Sequence, residues 1–240
     1  MTTDQQWAFD LLGHANSRLV RTVDGLHGDD WTGPSALPDW SRADVVAHLA
    51  LNAEALARAL HGAVADDDEP RAMYDSDEQR DADIAALADQ AHDVIRSRLL
   101  AGITLLNDAT VALPEAAWAG RIERTPGGRS IATRSIPGMR LREVEIHHVD
   151  LDQGYARTDW PLAFAEHLVD AMAKRLRAAA PFEVKPLDSE RTWLLGENDA
   201  EYPVAVVTGP TADLGWWLTG RPAPQTLSCS QGDLPQIGAW

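Results

Sequence analysis

The chain has 240 residues, 45% of them hydrophobic, a formal net charge of −16 and a pI near 4.7. That length is enough for one large domain or two small ones, and the composition is that of a globular chain, not a disordered one. So acidic a surface repels phosphate backbones, so no nucleic-acid partner is expected. Cys229 is the single cysteine, which excludes an intrachain disulfide and a cysteine metal cluster and fits a reducing compartment. The opening Met-Thr-Thr-Asp-Gln-Gln lacks the basic and apolar regions of a signal peptide, and no apolar run approaches about 18 residues. A soluble cytoplasmic protein without a membrane partner is expected.

Residues 4–26 predict a helix, with Trp7, Leu11, His14 and Leu19 recurring at three to four. Gly28, Gly33, Pro34 and Pro38 mark the next stretch as a loop. Ser41, with Asp44 three residues on, resembles a capping box and starts a helix to about Leu60. Its apolar positions are Val45, Leu49, Ala53, Leu56 and Leu60, and His48 lies beside that stripe. Residues 62–76 read as an acidic loop, and Asp66 to Glu69 as solvated charge. A third helix is predicted from Ser76 to Leu106, carried by Ile84, Leu87, Ala91, Ile95, Leu99 and Ile103. Pro126-Gly127-Gly128 predicts a turn, in a loop or hairpin over 121–134. A fourth helix begins near Ser135 or after Pro137 and ends near Gly154. Four such helices predict a bundle, a fold whose core commonly holds metal sites on facing helices.

After Tyr155 the pattern changes. Residues 161–180 predict one more amphipathic helix. Short β-like runs follow at 192–195 and 202–207, then a short helix over 211–219 and a last strand at 226–230. The expected fold class is α+β, with a helix-bundle domain over residues 1–154 and a smaller α+β domain over 155–240.

The candidate chemistry lies in Arg140-Leu-Arg-Glu-Val-Glu-Ile-His-His-Val-Asp-Leu151. Glu143 and His147 are four residues apart, which on a helix places both on one face, about one turn from each other. A carboxylate and an imidazole so placed can grip a divalent metal, and His48 on another helix is the candidate third donor. Glu145 and His148 form a competing pair on a face about 200° away. Asp150, one turn after His147, is a candidate partner for the free ring nitrogen of a ligand histidine. Arg221 follows the short C-terminal helix and suits carboxylate recognition, but the residues alone favour a surface cation at a helix end. His14, His61 and Cys229 read as structural, and no Ser-His-Asp, phosphate-loop or dinucleotide signature is present.

Three stretches carry a family resemblance: Trp40-Ser-Arg-Ala-Asp-Val-Val-Ala-His-Leu-Ala-Leu-Asn-Ala53, Arg142-Glu-Val-Glu-Ile-His-His-Val-Asp-Leu151, and the Gly220-Arg221 pair. Met73-Tyr74 through Arg80 and Ile84 adds a weaker one. Together they make the chain resemble the mycothiol-dependent maleylpyruvate isomerases, within the DinB-like metal-dependent thiol enzymes. The resemblance implies a DinB-like four-helix bundle followed by a sterol-carrier-like α+β domain. It implies zinc or another divalent metal held by His48, Glu143 and His147, which selects this pair over Glu145 and His148. It further implies mycothiol as thiol cofactor, Arg221 as a functional arginine with Pro222 where relatives carry glycine, and Arg80 as a substrate-side arginine. Glu145 stands where relatives often carry an aromatic residue, and is expected to charge the rim of the site. The activity implied is addition of a thiolate to the cis double bond of maleylpyruvate, rotation, and expulsion of the thiolate to leave fumarylpyruvate. Two other functions suit the same scaffold: a mycothiol S-transferase acting on other electrophiles, and a non-catalytic binding module.

Overall fold

The computed structural model describes residues 3–62, 71–176, 181–196 and 204–238. The chain divides into two compact units, Met1–Tyr155 and Ala156–Trp240.

The first unit is a helix bundle built on α1 (Thr3–Asp24), α2 (Arg42–Gly62), α4 (His92–Ala112) and α5 (Ile136–Asp150), with a shorter α3 (Asp77–Ala88) against α2. The N-terminus of α2 forms as its sequence predicts. The Ser41 N–H donates to Asp44 Oδ2 at 2.9 Å, and the Asp44 N–H donates back to Ser41 Oγ at 3.2 Å. Val45, Val46, Ala47, His48, Leu49 and Ala50 are consecutive and all buried. So over residues 45–50 α2 is enclosed on every side, not along one stripe, while further along Leu51 and Glu54 are half-buried and Arg58 is exposed. It runs closest to α4, where Gly102 has no room for a side chain: a Cβ there would meet the Ala50 carbonyl oxygen at 2.9 Å. The second close pair is α1 with α5, while α1 and α4 touch only sparsely.

The single helix expected over 76–106 is two. The chain turns at Asp89–Ala91, between α3 and α4. The apolar spacing of Ile84, Leu87, Ala91 and Ile95 runs straight through the break, so the sequence pattern hides it. Both segments pack against α2, α4 far more extensively than α3. The 121–134 stretch is a hairpin, β2 (Arg121–Glu123) with β3 (Ser130–Ala132), closed by Gly127 at φ 69°. Arg71–Ala72, expected to be loop, is a short strand β1 parallel to β2. The acidic run at Asp66 to Glu69 lies outside the described residues.

The second unit carries a four-stranded sheet in the order β5 (Trp193–Leu195), β4 (Phe182–Pro186), β6 (Ala205–Gly209), β7 (Ser228–Cys229). The β4–β6 pair is parallel and the outer pairs are antiparallel. Helices α6 (Leu162–Ala173) and α7 (Thr211–Leu218) pack together and against the strands. α6 stops short of the expected residue 180, of which 177–180 lie outside the described residues, as do 202–203 of the predicted strand. β4 was not expected, although Phe182, Val184 and Pro186 are buried and alternate with exposed or half-buried residues. The α+β class with an N-terminal helical bundle matches the expectation.

Candidate metal centre

α2 and α5 bring His48, Glu143 and His147 together. One donor atom of each lies within 4.8 Å of the others. His48 Nε2 is 2.9 Å from Glu143 Oε2, and His147 Nε2 is 3.5 Å from the same oxygen. The two imidazoles stand edge to face, with centroids 4.8 Å apart and planes at 83°. α5 starts with Pro137 in its first turn, a position that costs no hydrogen bond. It ends where Asp152 and Gly154 take positive φ, just past the last donor.

Both histidine donors have a partner on the ring nitrogen turned away from the cluster. His147 Nδ1 donates to Asp150 Oδ2 at 2.8 Å, which leaves Nε2 with a lone pair toward the cluster. Arg80 Nη2 lies 3.1 Å from His48 Nδ1. Trp40 stands edge-on to the His48 ring, with centroids 5.8 Å apart. Arg140 Nη1 donates to Asn52 Oδ1 at 2.7 Å, one helical turn beyond His48. A cleft of about 470 Å³ opens beside His48, lined in part by Tyr74, Arg80, Arg58 and Asp83.

The electrostatics suit a cation. Burial pushes His48 down to about 4, the neighbouring His147 and Arg80 adding to that against the pull of Glu143, so the ring is neutral near pH 7. Burial alone would push Glu143 up. Its contacts with His147 and His48 outweigh that and hold the carboxylate well below the usual range. Burial also opposes protonation of His147, but Asp150 and Glu143 hold its pKa above the ordinary histidine value. Two imidazoles and an ionised carboxylate on a buried focus fit a divalent ion. Three protein donors leave a coordination position for an exogenous ligand, whereas a closed structural site takes four.

The competing pair on α5 faces elsewhere. Glu145 is buried, not on the rim of the cluster as expected, because Arg18 Nη2 donates to its Oε1 and the Tyr155 hydroxyl to its Oε2, each at 2.5 Å. His148 stacks on Tyr155 with centroids 3.8 Å apart, and its Nε2 meets Thr22 Oγ1 at 2.7 Å. Arg80 stands against the cluster through His48. Arg221 belongs to the second unit, just past α7. There its Nη1 donates to Thr219 Oγ1 at 3.1 Å and its guanidinium lies 5.1 Å from the centre of the Trp216 ring. Sequence reasoning missed Arg140, Asn52 as its partner, and Trp40. Spacing held the signal for the first two: Arg140 is three residues before Glu143 and Asn52 four after His48, each on its donor's own face.

Fold and cluster together define a class: a helix bundle with a two-histidine, one-carboxylate pocket of the kind that binds a divalent metal. The family follows from comparison. The family model described as the mycothiol maleylpyruvate isomerase N-terminal domain matches residues 12–152, and that of the MDMPI C-terminal domain matches 159–239. The chain belongs to the mycothiol-dependent maleylpyruvate isomerase family. A crystal structure of the mycothiol-dependent maleylpyruvate isomerase superposes with a TM-score of 0.87 at 26% identity, covering 100% of both chains. A crystal structure of a histidine-to-alanine mutant of such an isomerase gives 0.86 at 25% identity, again over 100% of both. Among curated proteins none matches the chain. No helix among the described residues is long and apolar enough to cross a membrane.

Proposed function

We propose that this chain converts maleylpyruvate to fumarylpyruvate with mycothiol as the thiol, at a divalent metal site held by His48, Glu143 and His147. The observation that carries the reading is the meeting of those three donors within 4.8 Å in a chain matched to this family through both domains. A bound divalent cation such as zinc would supply the positive field that favours the thiolate form of a thiol near neutral pH.

The chain's own groups do the rest. His48 is already neutral and Glu143 already ionised, and Asp150 fixes the His147 tautomer. Arg80 offers a guanidinium at the cleft beside His48, suited to a substrate carboxylate. Arg221 is assigned a functional role from the family pattern, with the cytoplasm as the setting and aromatic catabolism as the context.

The test is isomerisation of maleylpyruvate by metal-replete protein with and without mycothiol, followed as loss of the cis compound and gain of fumarylpyruvate. Thiol-dependent turnover that a chelator abolishes is expected. His48→Ala and Glu143→Ala should lose metal and activity together, while Arg221→Ala keeps its metal and loses turnover. Full activity in either ligand variant would sink the assignment. A metal-loaded protein without turnover would move the function to thiol transfer onto another electrophile, or to binding without catalysis.

A further inference from the structure

The cleft beside His48 is not the larger cavity of the first unit. Where α1 and α4 touch only sparsely, a cavity of about 640 Å³ opens between them. Leu12, Val20, Leu100 and Ile103 give it apolar walls. Arg140, only 1% exposed, lines it from α5. One guanidinium nitrogen, Nη1, donates to Asn52, while Nη2 is buried without a hydrogen-bond partner. The carboxylate whose charge Arg140 feels, Glu143, is already in contact with His48 and His147. A second buried polar atom in the same lining, Asn16 Oδ1, also lacks a partner. So the cavity holds one unmet cationic donor and one unmet acceptor, and buried polar groups of both kinds are normally satisfied.

Gly13, in the middle of α1, lines the cavity too. A Cβ there would meet nothing within 4 Å, so no protein neighbour demands a glycine at this position. A helix-interior glycine weakens the helix and leaves bare backbone for something else to approach.

We propose that the α1/α4 cavity binds a small organic carboxylate with an apolar body and one hydrogen-bond donor next to the carboxylate. The carboxylate takes Arg140 Nη2, the neighbouring O–H or N–H takes Asn16 Oδ1, and the apolar body lies along Leu12, Val20, Leu100 and Ile103. A monoanion fits and a phosphate does not, because among the described residues Arg140 is the single cation in the lining and the exposed Asp10 also lines it. The site does not depend on the isomerase reading, since none of these groups is a donor of the metal cluster.

The probes are 3-phenyllactate, 3-phenylpropionate and 3-phenyl-1-propanol, titrated calorimetrically into the full-length protein after chelation, so that no metal competes for the carboxylates. Phenylpropionate is expected to bind about tenfold or more tightly than the alcohol, as a charge-assisted hydrogen bond implies, and phenyllactate more tightly still. Gly13→Phe should fill the cavity and abolish binding without lowering Tm. Arg140→Gln should erase the preference for acid over alcohol; should that variant fail to fold, Gly13→Phe decides alone. Three results would each overturn the proposal: equal binding of acid and alcohol, undiminished binding to Gly13→Phe, or no binding up to about 10 mM, weaker than any specific site.

Discussion

At His48 the two ring nitrogens face partners of opposite demand. A guanidinium only donates, so Arg80 requires a lone pair on Nδ1 and therefore a proton on Nε2, which then donates to Glu143. A metal on Nε2 demands the reverse tautomer, with the proton on Nδ1 and facing another donor. Loading the site would therefore release Arg80 Nη2 from His48, leaving it for an anion in the cleft while Nη1 keeps Asp81. Arg80→Met should tighten zinc about fivefold, the worth of one ordinary hydrogen bond favouring the wrong tautomer, while raising KM for maleylpyruvate. Unchanged zinc affinity in a competition titration would refute the tautomer argument. The same residues set a pH dependence for protein stripped of metal. His48 has a folded pKa of about 4 against 6.5 unfolded, so its contribution is present above pH 6.5 and is lost as pH falls to about 4, some 3 kcal/mol in all. Glu143, also depressed, adds a loss at lower pH. His147 acts oppositely, stabilising below 6.5 and fading as pH rises through its raised value. Tm of the stripped protein should drop from pH 6.5 to 4, and His48→Gln should flatten that drop. A slope that survives the substitution would assign the loss to other groups.

Among the elements, α2 and α4 show how closely the donors' scaffold is packed. Ala50, Ala53 and Gly102 let the two helices approach until a methyl at 102 would press on backbone. Gly102→Val should destabilise by about 2 kcal/mol through overpacking, measured by denaturant titration, with a larger fall expected than for valine at Gly13, where space is open. The capping box at Ser41 and the period of α1, α2 and α5 were legible because they are local. The α3/α4 break was not, since an apolar period reports which face is buried and not whether the axis bends. β1, only two residues long, owes its existence to β2, some fifty residues further on, and nothing within it announces a strand.

For the molecule as a whole, each unit has its own core, and all three donors with Asp150 fall in the first. Residues 1–155 produced alone should bind one zinc with an affinity within about threefold of the full chain, as expected of a self-contained domain. If Arg221 is required for turnover, they should not isomerise maleylpyruvate. A fragment that folds by circular dichroism but fails to bind zinc would show that the site needs the rest of the chain. In the second unit β4 escaped notice because its alternation ends on Pro186, a residue that reads as a breaker yet closes the strand. The site's ligand spacing was legible, but the choice between two Glu/His faces of α5 was not, short of the family pattern. That choice is made physically by Arg18, which is 127 residues from Glu145 in sequence. α5 is thus an ambiguous message: two nearly synonymous faces, either able to present a carboxylate and an imidazole. α1 disambiguates it by claiming one face as an anchor, so the face left to meet His48 is chosen by a helix that contributes no donor to the cluster.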